Sequence, residues 1–121
     1  AWTQIHRELG SSVVDWSGYE TYEANSWLKQ LHLFEVPFYY IEYAMAQMGA
    51  IGIWKNYRED PEKALQQYTD ALKLGYTKTI PEIYDTAGVR FDLSAEHLNE
   101  LAQFLMRELE QLEQELANHT A

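Results

Sequence analysis

An all-α fold is the expectation that three features of this 121-residue sequence share. Apolar residues recur three and four positions apart through most of the chain, the spacing of one helix face. Prolines and capping residues punctuate those runs where helices would start. No stretch alternates apolar and polar residues over the length of a strand. About five helices in one continuous segment, residues 1–121, are predicted.

Trp2, Ile5 and Leu9 lie at helical spacing, and Gly10-Ser11-Ser12 closes that segment. Residues 13–18 read as a loop. Residues 19–31 read as a helix with Tyr22 and Trp27 toward the core, and residues 32–36 as a short connection. Pro37 suits a first helical turn, where its missing N–H costs nothing, so the next helix is predicted over residues 37–57. Asp60-Pro61-Glu62 is a restart, with Asp as N-cap, Pro at the first position and an acid in the first turn. Ala64, Leu65, Tyr68, Ala71 and Leu72 form its apolar face, and Gly75 ends it. Thr79 and Glu82 have capping-box spacing and open a short helix ending at Gly88. Ser94 caps the last helix, which carries a leucine stripe at positions 98, 101, 105, 109, 112 and 116, with Glu108, Glu110, Glu113 and Glu115 mostly on the other side. No motif recurs at the period of a helical-repeat protein.

Nineteen acids against nine Lys and Arg give a net charge of -10. Such a surface repels nucleic acid and anionic membrane, so neither is an expected partner. The chain has no cysteine, which excludes disulfides and thiolate chemistry and fits a cytoplasmic protein. It begins Ala1-Trp2 without a leader pattern, and the start reads as an internal or processed end. Residues 36–54 carry one formal charge, Glu42. That glutamate, three tyrosines and two glycines make a buried helix of a soluble protein a better reading than a membrane span.

The densest chemistry lies in HLFEVPFYYIEYAMAQ, residues 32–47. On a helix, Tyr39 or Tyr40 would share a face with Tyr43. His32 precedes them on a loop that could fold back over the same turn. Imidazole and phenol groups are neutral donors of the kind that stabilise a carbonyl oxygen as it becomes an oxyanion. Packing, with each hydroxyl finding one partner, is the commoner use of tyrosine in an apolar helix, and spacing alone leaves both readings open. Glu42 either pairs with a base outside its helix, borders a channel, or lies on an exposed face.

That run, with NSWLKQ upstream and TIPEIYDTAGVRF downstream, resembles the C-terminal part of oligoendopeptidase F, a zinc metallopeptidase of the thimet oligopeptidase family. The likeness covers most of residues 19–112, and the His32, Pro37-Phe38-Tyr39-Tyr40 and Tyr43 spacing is its most specific element. It implies a helical, clam-shaped enzyme that cuts short peptides in a deep channel. By position, His32 matches the substrate-binding histidine and Tyr43 the tyrosine that stabilises the oxyanion. Tyr40 matches a second tyrosine, with Tyr39 the alternative one residue away.

The sequence departs from that family in one respect. Zinc peptidases of this kind hold their metal with H-E-x-x-H on a helix and a further glutamate. None of His6, His32, His97 or His119 begins such a motif. The expectation is therefore a C-terminal fragment with no metal ligands of its own, whose parent enzyme carries the zinc, and which is inactive alone. Exposed apolar surface on such a fragment would favour a homodimer. The alternative is a stand-alone acidic helical domain that binds a basic protein. His32/Glu35 and His97/Glu100 have the i, i+3 spacing of di-iron bundles, but a solvated face is the expected role of the second pair.

Overall fold

The computed structural model describes residues 1–120 and, among them, is all-helical. Seven α-helices appear: α1 (Trp2–Leu9), α2 (Glu20–Asn25), α3 (His32–Glu35), α4 (Ile41–Glu59), α5 (Pro61–Leu74), α6 (Ile80–Thr86) and α7 (Ala95–Thr120). A 3₁₀ turn, Ser26–Lys29, follows α2. The departures from the predicted segments lie mainly in the N-terminal third. The predicted helix over residues 19–31 breaks at Asn25, whose side chain turns back to donate to the Thr21 carbonyl at 2.8 Å. The connection at residues 32–36 winds into the single turn α3. Tyr22, expected in the core, is exposed, and Trp27 is half-buried.

Contacts gather into two compact units, Ala1–Tyr40 and a second beginning at Ile41. The first has no buried apolar side chain among the described residues; its one buried residue is Glu23, at 0 % exposure. A unit of this size cannot enclose a hydrophobic core. Polar and aromatic contacts hold it instead. The Trp2 indole N–H donates to Ser26 Oγ at 2.9 Å, His6 lies between Trp2 and Trp16, and the Trp27 and Phe34 rings stack at 5.7 Å.

In the second unit α4 packs on α5 and α7, and α5 on α6. Small residues allow the close approaches. Ala64 and Ala71 of α5 are buried, as are Gly49 and Gly52 of α4. The Tyr84 ring lies on Gly49 and the Val89 side chain on Gly52, where added Cβ atoms would sit 2.7 and 2.9 Å from them. Leu101 and Phe104 of α7 complete the core, Phe104 meeting the Trp54 ring edge-on at 5.0 Å.

The predicted caps form. Asp60 accepts from the Lys63 N–H at 3.1 Å, Glu82 from the Thr79 N–H at 2.9 Å, and Ser94 Oγ from the His97 N–H at 3.2 Å. Gly75 and Gly88 take the positive φ of helix ends. α4 is less buried than its composition suggested. Only its two glycines are fully enclosed, because so small a unit covers one face of its longest apolar segment. No helix among the described residues is long and apolar enough to cross a membrane.

Candidate functional site

Pro37 does not start α4. It opens a tight turn in which the Tyr39 N–H donates to the Val36 carbonyl at 3.1 Å. Phe38 follows with φ of 67°, the pattern of a type II turn, whose third position normally needs glycine. A bulky side chain held there costs roughly 1–3 kcal/mol, and such strain concentrates at functional sites. Phe38 gains no packing in return among the described residues, since it is 95 % exposed.

The turn re-aims the two tyrosines that follow it. Tyr39 and Tyr40 precede α4, so neither shares a helical face with Tyr43, as the sequence spacing suggested. They lie against His32 instead. The Tyr39 ring is parallel to the imidazole with centroids 6.0 Å apart, and the Tyr40 ring is tilted by 50° at 5.5 Å. A one-turn helix, a proline turn and a left-handed phenylalanine thus gather an imidazole and two phenols. His32 is half-buried and both tyrosines are partly exposed. Tyr43 belongs to the second unit, on the first turn of α4, and is half-exposed. Glu42 beside it is exposed, so burial does not require it to have a partner.

The sequence did not mark the ionic centre of the first unit. Arg7 Nη2 reaches Glu23 Oε2 at 2.6 Å and its Nε reaches Oε1 at 2.9 Å. His6 Nδ1 lies 3.6 Å from the same carboxylate. A buried carboxylate persists only when paired in this way. An open cavity of about 390 Å³ adjoins the pair, lined also by Asp15, Trp16 and Glu20. The Arg7 hydrogen bonds hold the Glu23 carboxyl below its ordinary 4.5, against the opposing effect of burial. Because the folded value is the lower one, this pair stabilises the unit fully above 4.5, and its contribution is lost as pH falls below that toward the depressed value. In a Trp54→Phe background, tryptophan fluorescence reports the first unit alone. Acid unfolding there should have a steep limb below pH 4.5 that Glu23→Gln flattens; unchanged acid limbs would remove the pair from the account.

A second ionic cluster lies on α7. Glu100 accepts from Lys55 Nζ at 2.5 Å and from Arg90. Lys55 is the leading cause of its lowered pKa. His97, expected on a solvated face, is buried at 6 % exposure, its Nδ1 3.1 Å from Arg90 Nη2. The connector after α6 folds Arg90 back against the start of α7, a contact that the charge pattern of the helix itself does not show. The cluster is cation-rich. Among the described residues no group of three or more histidines and acids could hold a metal ion; the residues present do not fit a zinc site.

No curated protein matches the chain, and no solved structure matches it. The family model described as Peptidase family M3 matches residues 1–103, which takes in the Arg7–Glu23 pair, the His32 turn, α4 to α6 and the start of α7. With most of its length matched, the chain belongs to peptidase family M3.

Proposed function

We propose that the chain is the C-terminal, substrate-binding part of an oligoendopeptidase-F-like zinc peptidase that hydrolyses short peptides. His32 and Tyr40 bind the substrate, with Tyr39 beside them, and Tyr43 donates to the scissile carbonyl oxygen as it gains negative charge. Preorganised neutral donors of this kind act where charge develops in the transition state. The observation that carries the reading is the imidazole and two phenols gathered at a strained turn, in a chain of a peptidase family. The bound zinc of such an enzyme supplies an activated water. Its ligands and the general base lie outside residues 1–120, and this chain alone is inactive.

Joining the chain to an H-E-x-x-H-bearing segment from the same reading frame tests this. The joined protein should cleave a quenched fluorescent peptide and lose that activity to a chelator, while the 121-residue chain cleaves none. A reading frame without that motif before Ala1, or hydrolysis by the chain alone, overturns the proposal.

A further inference from the structure

The Tyr84 hydroxyl donates to the Met45 backbone carbonyl at 2.8 Å. This bond ties α6 to α4 across 39 residues of sequence. Burial raises the Tyr84 pKa above the ordinary phenol value. The ring lies flat enough on Gly49 that a Cβ there would come within 2.7 Å of the hydroxyl and 2.9 Å of the ring carbons. One turn further on, Val89 closes on Gly52 in the same way. Met45, Gly49 and Gly52 are spaced i, i+4, i+7 and share one face of α4. Tyr43 is two residues from Met45, about 200° around the axis on the other side. The clamp therefore fixes the axial position and rotation of α4 without touching the Tyr43 side chain. A hydrogen bond to a backbone carbonyl, with a ring seated where no side chain intervenes, sets helix position more tightly than side-chain packing alone.

We infer that Tyr84 is a positioning residue for the reaction: through Met45 and Gly49 it holds the first turns of α4 so that the Tyr43 phenol meets the developing oxyanion. This rests on the reading of Tyr43 given above. A donor displaced by a fraction of an ångström loses transition-state stabilisation while substrate binding is little changed.

The test has two arms. In the chain itself, Tyr84→Phe should speed amide exchange in residues 41–49 and leave residues 98–105 of α7 as they were. Faster exchange throughout the second unit, or none, overturns the clamp. In the joined peptidase, Tyr84→Phe should lower kcat about tenfold with KM within about twofold. Gly49→Ala, which crowds the same hydroxyl from the α4 side, should give the same split. In a Tyr43→Phe background the further loss from Tyr84→Phe should vanish, because the clamp acts through that phenol. A full additional loss in that background overturns the inference and leaves the Tyr43 reading standing. Full kcat in Tyr43→Phe alone overturns both.

Discussion

Tyr43→Phe in the joined peptidase should lower kcat by about 10²- to 10³-fold and leave KM nearly unchanged, the signature of one lost oxyanion donor. The substitution removes one oxygen and keeps the ring, so α4 and its packing on α5 and α7 are undisturbed. Tyr43 is half-exposed on the first turn of α4, so any loss of melting temperature should be small beside the loss of kcat. The two readouts together separate chemistry from folding. Steady-state kinetics on a single peptide, with a thermal melt of the same preparation, are sufficient. A variant that keeps its kcat, or loses activity only in step with its stability, would return Tyr43 to an ordinary surface residue. His32→Ala should behave differently, raising KM as well as lowering kcat, because a substrate-binding group acts on the ground state too.

The second large effect is on stability. Phe104→Ala should destabilise the unit that begins at Ile41 by about 3–5 kcal/mol. Phe104 is 5 % exposed and is the one large aromatic buried in that core, with its edge on Trp54. The other buried apolar residues are Leu101 and three alanines, so Phe104 supplies the largest share of the buried side-chain volume. Small domains have only about 5–15 kcal/mol in hand, and the melting temperature should fall by more than about 12 °C. Leu112→Ala on the same helix removes an exposed leucine and should change stability by less than about 0.5 kcal/mol. Equal losses in the two variants, measured by circular dichroism melts, would show that the core is elsewhere.

The features legible in the sequence are those decided within three or four residues. Asp60 with Lys63, Thr79 with Glu82, and Ser94 with His97 each make their bond inside one turn, so residue types at fixed offsets are enough to predict them. The start of α4 was not legible. A proline fits the first turn of a helix and the second position of a tight turn equally well. What separates the two is the positive φ of Phe38, a conformation its side chain disfavours and its identity cannot announce. Likewise nothing near Glu23 predicts its burial, because its partner Arg7 is 16 residues away. His97 is a nearer case: the Arg90 beside it lies on the connector before α7, off the helix whose charge pattern suggests a solvated face. The sequence spacing puts Tyr39 or Tyr40 on one helical face with Tyr43 and His32 on a loop folded over it; that shared face does not form, because α4 begins only at Ile41. A strained turn brings His32, Tyr39 and Tyr40 together instead.

α7 is about 39 Å long at 1.5 Å per residue over its 26 residues. Its buried positions end at Phe104, and from Leu109 onward every described side chain is exposed. A helix of a dozen residues with no buried side chain gains little from packing and is marginal by itself in water. The distal turns are continuous with the packed end, and Gln111 ties them back: its Oε1 accepts from Arg58 Nη2 of α4 at 3.4 Å, while its amide donates to Glu115 at 2.9 Å. Protection against solvent exchange should be highest around Leu101 and Phe104 and grade downward along α7, so that one covalent helix opens at its far end well before its buried end.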